Sequence, residues 1–256
     1  MNLGEVRAAL VDGGVTGPHQ SHSRASSIRK IHVLLEGQGD DFGLGSFEEY
    51  TVADVLGFMA DLTGCDPDTD SATDDLIEPE KTLQGIIAAA TRLSALAGQG
   101  GSLLVATGHP TGVLEHYIRI VDAFVRAGGK ISRLREEEDL SPGSRGHSEV
   151  RYIGGVGVLA DWGSLKHTHS PATMESLLSA RPWPDMVLGD HGFAGAAIAR
   201  GIPTIAIMDI NDHALAIASA EGKDVTVVPL DDNRPPRTYE PASWLYERVL
   251  DGETYA

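Results

Sequence analysis

Apolar and polar residues in the first part of the chain follow the period of helices. NLGEVRAAL reads as a short amphipathic helix, and in SHSRASSIRKIHVLL the apolar side chains fall roughly on one face. Two longer helices have end signals: Thr51 and Gly64 frame TVADVLGFMADLTG, and Pro79 suits the first turn before EKTLQGIIAAATRLSALAG. The pattern predicts a helical layer over residues 1–100, with an exposed acidic loop, CDPDTDSATDDLIEPE, before the last helix.

From about residue 102 short apolar runs alternate with helices. SLLVAT, KISRL, DMVLG, PTIAIMD and VTVVPL are predicted strands, and VRYIGGVGVLADW is a predicted hairpin that turns at Gly154 and Gly155. Helices are predicted between most of these strands, an alternation typical of parallel strands joined by crossover helices. We therefore predict an α/β fold: a Rossmann-like three-layer sandwich with a mostly parallel sheet and an N-terminal helical layer.

The length of 256 residues fits one large α/β domain. Within it we predict the helical layer over 1–100, a strand–loop–helix core over 101–235 and a C-terminal segment over 236–256. The polar, turn-rich residues 135–149 are expected to be mobile.

Charge and composition exclude several classes of function. A formal net charge of −17 argues against nucleic-acid binding, because a polyanion would be repelled. The chain has no apolar run of about 18 residues, so no membrane span is predicted. The single Cys65 excludes an intrachain disulfide, and the N-terminus lacks the apolar core of a signal peptide. We expect a cytoplasmic protein and, as a prior only, a homo-oligomer.

Candidate chemistry gathers where the predicted strands end. Ligands of open parallel sheets bind outside the carboxyl ends of the strands. Five strand ends carry an acid, a histidine or both: Gly108 to Pro110 with His109; Asp161, with His167 and His169 shortly after; Asp190 and His191; Asp209, Asn211, Asp212 and His213; Asp231 and Asp232. The strand interiors are almost wholly apolar, so coincidence is the weaker explanation for Asp190 and His191.

Some of these residues also have simpler interpretations. A single Asp after a strand is most often an Asx-turn or a helix N-cap, and we interpret Asp231 and Asp232 in that way. Asp212 is equally an N-cap or a ligand. His116, inside a predicted helix, and His147, in a polar loop, are interpreted as solvent-exposed.

Two loops, TGHPTG and GDHGFAG, place glycines around a histidine just before a helix. Backbone N–H groups at a helix N-terminus bind phosphate readily, which makes Gly108, Thr111 and Gly112 candidate phosphate-binding residues. The glycines could equally serve only to tighten the turns. Neither loop matches the Walker or dinucleotide-binding glycine patterns. Arg24 in the N-terminal layer is a candidate phosphate clamp, because its guanidinium fork suits phosphate geometry.

The stretch HTHSP places two histidines one residue apart. In extended conformation His167 and His169 point to the same side, so with an Asp from a neighbouring strand end they could bind a divalent metal. Alternatively one of them moves a proton near neutral pH. Ser170 is expected to cap the helix that follows.

Several blocks of the chain resemble an actinobacterial family described as phosphatases. The matching blocks are SRASSIRK, ATGHPTGVLEHY, HTHSP, VLGDHGFAGAAIARGIPTIAIMDINDHALAIASAEG, VTVVPLDD and YEP. The chain departs from the family pattern at Thr111 and Phe193. The resemblance points to these site residues: Arg24, Gly108, His109, Pro110, His167, His169, Ser170, Gly189, Asp190, His191, Gly192, Asp209 and Asp212.

The resemblance implies hydrolysis of a phosphomonoester of a small metabolite. The chain has no DxDx[TV], Cys-x5-Arg or RHG motif, so metal-assisted attack by water is the most natural mechanism. We predict Asp190, His191 and His109 as catalytic, and a divalent Mg or Mn ion held among His167, His169, Asp190, Asp209 and Asp212. The alternatives are a metal-free lyase, isomerase or cyclase acting on a small anionic substrate, and a ligand-binding or sensor protein without turnover.

Overall fold

The computed structural model describes residues 1–19, 21–70, 74–136, 138–140 and 147–255. Its helices are α1 Leu3–Asp12, α2 Arg24–Leu35, α3 Val52–Thr63, α4 Pro79–Gly98, α5 Leu114–Arg126, α6 Ala172–Leu177, α7 His191–Ala199, α8 His213–Ala220 and α9 Glu240–Leu250, with a 3-10 helix at Pro236–Tyr239. Its strands are β1 Gly17–Pro18, β2 Leu76–Ile77, β3 Ser102–Thr107, β4 Lys130–Ile131, β5 Glu149–Ile153, β6 Val156–Asp161, β7 Ser164–Leu165, β8 Met186–Asp190, β9 Thr204–Met208 and β10 Val225–Pro229.

The central sheet has the strand order β10-β9-β8-β3-β6-β5, with β4 added beside β3 and β7 beside β6. All its pairings are parallel except those of β5 and β7 with β6. The chain extends from β3 towards β6 on one side and returns to β8, β9 and β10 on the other. The strand order therefore reverses between β3 and β8, where open sheets form their ligand crevice.

Alternation along each strand divides the apolar side chains between the two faces of the sheet. Leu103 and Val105 of β3 pack in a core with α1, α4, α5 and α9, whereas Leu104 and Ala106 pack with α6 and α7. A further core on this second face joins α2, α3 and α8. Helices on both faces of a mostly parallel sheet confirm the predicted three-layer sandwich. The four N-terminal helices are divided between the two outer layers.

The predicted strand KISRL is much shorter in the structure. Only Lys130 and Ile131 pair, with Ser102 and Leu103 of β3. From Val105 onward the same edge of β3 pairs with β6, so no free edge remains for a longer β4. The hairpin at Gly154 and Gly155 is confirmed.

The interpretation of His116 as solvent-exposed is wrong. His116 lies on the buried face of α5 against α9, and its Nδ1 is 2.7 Å from Ser243 Oγ. Burial lowers the pKa of His116 to about 3. His147 is half-buried and stacks on Trp162. The mobility expected for residues 135–149 falls largely outside the described residues.

The acidic loop that was expected to be exposed is partly buried. Leu76 and Ile77 form β2, which pairs with β1, and the neighbouring Asp75 is buried. Among the described residues, no helix is long and apolar enough to cross a membrane.

Candidate metal and phosphate site

Four neighbouring parallel strands end at the same edge of the sheet and place their polar side chains there. His109 follows β3, Asp190 ends β8 and His191 begins α7. The loops after β9 and β10 add further carboxylates, all of them buried: Asp209, Asp212, Asp231 and Asp232. The structure thus brings together residues from β3 to β10 at the point where the strand order reverses.

Asp190 is held by neutral donors from the elements around it. Its carboxylate accepts hydrogen bonds from the Gly108 N–H at 2.6 Å, the Thr107 hydroxyl at 2.5 Å and the Tyr117 hydroxyl at 3.2 Å. Burial alone would raise the pKa of Asp190, but hydrogen bonding to His191 and the charge of that ring lower it. Asp190 therefore supports the site as a buried carboxylate that fixes the β3 loop.

His191 lies among three carboxylates. Its ring nitrogens are 3.5 Å from Asp190, 3.3 Å from Asp212 and 3.5 Å from Asp232. Burial would lower the pKa of His191, but the surrounding carboxylates raise it well above the ordinary value. The backbone φ of 41° at His191 is in the left-handed region, an uncommon conformation for a non-glycine residue. Strain of this kind at a buried polar residue is frequent at functional sites.

His109 lies beside His191 but has the opposite preference for protonation. The two Nδ1 atoms are 3.1 Å apart, so one nitrogen donates and the other accepts, and His109 Nδ1 is also 3.4 Å from Asp232. Burial and the charge of His191 lower the pKa of His109 to about 4. The pair therefore joins a readily protonated ring to a neutral one.

The two histidines of HTHSP reach the same cluster from the segment after β7. The His167 ring centroid is 3.9 Å from that of His109, and the His169 ring stacks on His191 at 4.2 Å. His169 Nδ1 is 3.0 Å from Asp40 Oδ2. His167 is exposed and His169 half-buried, so both lie at the rim. The Ser170 hydroxyl accepts from the N–H of Ala172, the first residue of α6.

A second group of ligand-type side chains forms around His19, just before α2. His19 Nε2 is 2.6 Å from Asp209 and 3.7 Å from Asp231. Burial opposes protonation, but the hydrogen bond and charge of Asp209 raise the pKa of His19. The neighbouring His22 is 3.5 Å from Asp209.

Among the residues that the structure describes, three sets of side chains have ligand atoms within 4.8 Å of one another and could hold a metal ion. They are His109, His167 and His169; His109, His191 and Asp232; and His19, Asp209 and Asp231. The buried Asp232 Oδ2 accepts no hydrogen bond from any described residue. A buried carboxylate oxygen without a donor is costly, and a bound cation would satisfy it.

Asp212 and Asp231 combine backbone caps or turns with site contacts, whereas Asp232 accepts locally only from the Asn233 side chain, at 3.1 Å. Asp212 stands at the N-cap of α8, but its carboxylate accepts from the Asp209 N–H and faces His191. Asp231 accepts from the Asn233 N–H, as the Asx-turn interpretation predicts, and also faces His19. The turn or cap interpretation of Asp232 is wrong, because its carboxylate faces His109 and His191.

The contacts of Arg24 do not support a phosphate clamp. Its guanidinium is 3.1 Å from Asp75 and donates to the carbonyls of Asp66 and Asp68 at 2.5 and 2.8 Å. Asp75 in turn accepts, through its backbone carbonyl, from the His19 N–H. Arg24 therefore holds the loop that positions His19.

The expected phosphate loop contributes side chains rather than free glycine amides. The Gly108 N–H is bonded to Asp190 and the Gly112 N–H to the His109 carbonyl. Thr111 and Gly112 do line a cleft of about 260 Å³, together with His109, Asp232, Asn233, Arg234 and Pro235. Arg234 donates through Nε to the Gly13 carbonyl, and its terminal nitrogens have no hydrogen-bond partner in the described part of the chain. Arg234 is thus a cation available to an anion in this cleft.

Comparison with known proteins assigns the chain to a family. The family described as Phosphatase matches residues 1–252. The chain belongs to this phosphatase family. A protein named as a phosphatase from Streptomyces coelicolor is 37% identical over 195 residues, which cover 73% of this chain and 72% of that protein. No solved structure matches the chain. The resemblance to phosphatases is confirmed, and the protein is a hydrolase that acts on phosphate esters.

Sequence reasoning missed two contributors to the site of this phosphatase, His19 and Arg234. His19 and His22 stand three residues apart in PHQSH, a spacing that signals a ligand pair as clearly as HTHSP does. His22 falls at the start of the predicted helix SHSRASSIRKIHVLL, and no predicted strand ends near His19, so strand-end reasoning did not reach either residue. Arg234 follows the two aspartates after β10, and in so acidic a chain a cation at a strand end is itself a signal.

Proposed function

We propose that this phosphatase hydrolyses phosphomonoesters of small metabolites with two divalent cations bound at the strand ends. The observation that carries this proposal is the charge imbalance of the site. Five buried carboxylates converge, and no Lys or Arg in the described ranges forms an ion pair with any of them: Asp190, Asp209, Asp212, Asp231 and Asp232. Buried charges are normally paired or bound to metals, so this cluster calls for cations.

The donor sets fit a divalent transition metal. One ion would be held by His109, His191 and Asp232, where Asp232 Oδ2 lacks a donor. The second would be held by His19, Asp209 and Asp231. Mixed imidazole and carboxylate ligands suit Mn²⁺ or Zn²⁺ better than Mg²⁺, which prefers oxygen ligands and retained waters.

Asp190 and Asp40 lie behind two of the histidines and orient them. Asp190 is 3.5 Å from His191 Nδ1, and Asp40 is 3.0 Å from His169 Nδ1. A carboxylate that holds one ring nitrogen fixes the direction and protonation of the other. This arrangement directs His191 Nε2 towards Asp212 and Asp232, and it leaves the unpartnered His169 Nε2 available to substrate.

The chain's own residues would bind the phosphate and move the protons. Thr111 and Arg234 hold the phosphate in the cleft beside His109. Bound cations supply Lewis-acid stabilisation of the phosphoryl oxygens and lower the pKa of water. Water attacks phosphorus and the ester P–O bond breaks. His167 accepts the water's proton, and His169 donates one to the leaving oxygen. The pKa of His167 is lowered by the partial desolvation of its ring and by the charges of His169 and His191.

The test is phosphate release from a set of phosphomonoesters by metal-stripped protein, with and without Mn²⁺ or Zn²⁺. We expect no turnover without metal and restored turnover with it. The variant His19→Gln should lose roughly 10–100-fold in activity or metal affinity, the usual cost of a perturbed metal site. His147→Gln, outside the site, should behave as the unmodified protein.

Turnover that is insensitive to EDTA would contradict the metal centre. It would instead favour metal-free hydrolysis, for which the contrasting His109 and His191 pair supplies a base and an acid. The cytoplasmic location and the homo-oligomer also remain proposals.

A further inference from the structure

A second pocket of about 220 Å³ borders the site, separate from the cleft at Arg234. Its wall is formed by the exposed face of α2, the Gln38–Asp40 turn and the start of α8. Liquid water occupies about 30 Å³ per molecule, so the volume corresponds to about seven waters, enough for a small polar group.

Two lining residues connect this pocket to the candidate ligands. Asn211 Nδ2 is 2.9 Å from His22 Nε2, and His22 is 3.5 Å from Asp209. Asp40 is bonded to His169, whose ring stacks on His191. Each connection runs through one intermediate side chain, His22 or His169, so the pocket lies beside the proposed cation groups.

Buried polar atoms of the pocket wall lack partners. His213 is 3% exposed and its Nε2 has no hydrogen-bond partner in the described part of the chain. The buried Oδ1 of Asn211 also lacks one. Buried polar atoms are nearly always satisfied, so two such atoms on one pocket wall indicate a polar ligand.

The charge of the pocket indicates what kind of ligand it takes. Arg29 and Lys30 both line it, and neither forms an ion pair with any residue the structure describes. The one carboxylate in the wall, Asp40, is bonded to His169. In a chain with a net charge of −17, two uncompensated cations beside one pocket favour an anionic group.

We propose that this pocket binds a second anionic group of the substrate, a carboxylate or a phosphate a few bonds from the scissile phosphate. This inference rests on the proposed function, because it places the reacting phosphate at the metal groups. Lys30 and Arg29 attract the anion, and His213 donates to it when its proton is on Nε2. The Asn211 amide oxygen would accept from a hydroxyl group of the same substrate. The pocket thereby selects phosphorylated acids and bisphosphates over simple phosphomonoesters.

The test compares three probes with the Mn²⁺-loaded protein: glycerol 3-phosphate, 3-phosphoglycerate and glycerol 1,3-bisphosphate. The second replaces a hydroxymethyl group of the first with a carboxylate, and the third adds a phosphate. We expect kcat/KM to be at least about tenfold higher for 3-phosphoglycerate, for glycerol 1,3-bisphosphate or for both than for glycerol 3-phosphate. A charge-assisted hydrogen bond to the second anionic group contributes that much or more. The probe with the larger gain identifies the source of the anion.

The variant Lys30→Gln should reduce that ratio to about one and leave glycerol 3-phosphate turnover unchanged, because Lys30 does not contact the reacting phosphate. Lys130→Gln, an exposed lysine on β4, should preserve the ratio. Melting temperatures of both variants should match the unmodified protein.

A ratio near one, or a ratio that Lys30→Gln does not change, would overturn the second-anion pocket while leaving the phosphatase proposal intact. If none of the probes is hydrolysed, calorimetry on the Mn²⁺-loaded protein gives the Kd of each probe. The ratio of these Kd values then replaces the ratio of kcat/KM values. A tenfold Kd ratio lost in Lys30→Gln would then support the pocket and count against the proposed hydrolysis of these esters.

Discussion

Asp232 is the side chain on which the charge balance of the site depends most. It has an unpartnered carboxylate oxygen 3.4 Å from His109 and 3.5 Å from His191. Burial, reinforced by the charges of neighbouring aspartates, raises its pKa well above the ordinary value. The metal-free fold therefore keeps Asp232 at a cost in stability, and such costs are typical of residues retained for function.

We predict that Asp232→Asn abolishes metal-dependent phosphate release and raises the stability of the metal-free protein by about 1 kcal/mol. Because the folded-state pKa is raised, the folded protein retains a proton that the unfolded chain loses above about pH 4, so Asp232 destabilises the fold more as pH rises. Urea denaturation should accordingly show that Asp232→Asn raises the free energy of unfolding more at pH 8 than at pH 5. Asp251→Asn, an exposed position, should change neither quantity. A less stable metal-free Asp232→Asn protein would contradict this charge assignment.

His116 makes a separate prediction about acid stability. Its pKa is lowered to about 3, so between about pH 6.5 and pH 3 the unfolded chain binds a proton that the folded protein does not. Stability must fall as pH falls through this window, by up to about 1.4 kcal/mol per pH unit for one proton. His116→Asn retains a hydrogen-bond partner for Ser243. It should reduce the slope of unfolding free energy against pH by up to the contribution of one proton. The exposed His32→Asn is the control, and an unchanged slope in His116→Asn would refute the assignment.

At the scale of elements, much of the fold could be predicted from the sequence. Long apolar runs such as β3, β8 and β9 predict strands, and the polar residues after them predicted a site at their carboxyl ends. The two-residue strands β1, β2 and β7 could not be predicted, because their pairing depends on which edge is left open rather than on their own residues. For the same reason β4 was predicted but its length was overestimated. His116 was misjudged because its polar residue type was weighed above its spacing, which places it on the same helix face as the apolar Ile120 and Phe124.

The segment His167–Pro171 packs against the start of α7 so closely that it leaves no room for a side chain at Gly192. A Cβ on Gly192 would lie 2.4 Å from the Pro171 nitrogen and 2.5 Å from the His169 carbonyl oxygen. Both contacts are to backbone atoms, so the segment itself would have to move. Gly192 thus sets the distance between the rim histidines and His191.

We predict that Gly192→Ala lowers the free energy of unfolding by about 1–3 kcal/mol, the usual cost of overpacking, and reduces activity by displacing His169. Gly57→Ala is a matched control inside α3, where a Cβ meets nothing within 4 Å. That change should stabilise the protein by about 0.5–1 kcal/mol, as glycine-to-alanine changes in helices do. Urea denaturation and initial rates measure both effects. Equal stability changes in the two variants would show that the segment is not tightly packed.

For the molecule as a whole, the site depends on a contact that the local sequence pattern cannot reveal. His19 reaches Asp209 across 190 residues of sequence, because the β1–β2 pair and the Arg24–Asp75 ion pair carry the N-terminal segment to the carboxyl edge of the sheet. Strand-end reasoning finds residues within the sheet, whereas a ligand supplied by an outer layer requires the folded structure. The PHQSH spacing marks two histidines, but only the folded structure shows that His19 meets Asp209 and Asp231.

The overall charge of −17 sets a further condition on catalysis. A strongly acidic protein repels anionic phosphate esters, and five of its carboxylates lie at the site itself. Two divalent cations would reverse the local charge at the point where the ester must bind. They would also stabilise the folded chain, since they bind the folded form alone.

Anomalous diffraction at the manganese edge, from crystals of the unmodified protein grown with Mn²⁺, tests the two-cation centre without relying on any variant. We expect two anomalous peaks per chain at the carboxyl ends of the strands, one among His109, His191 and Asp232 and the other among His19, Asp209 and Asp231. The absence of an anomalous peak from both groups, or peaks confined to exposed acidic side chains elsewhere, would contradict the two-cation centre.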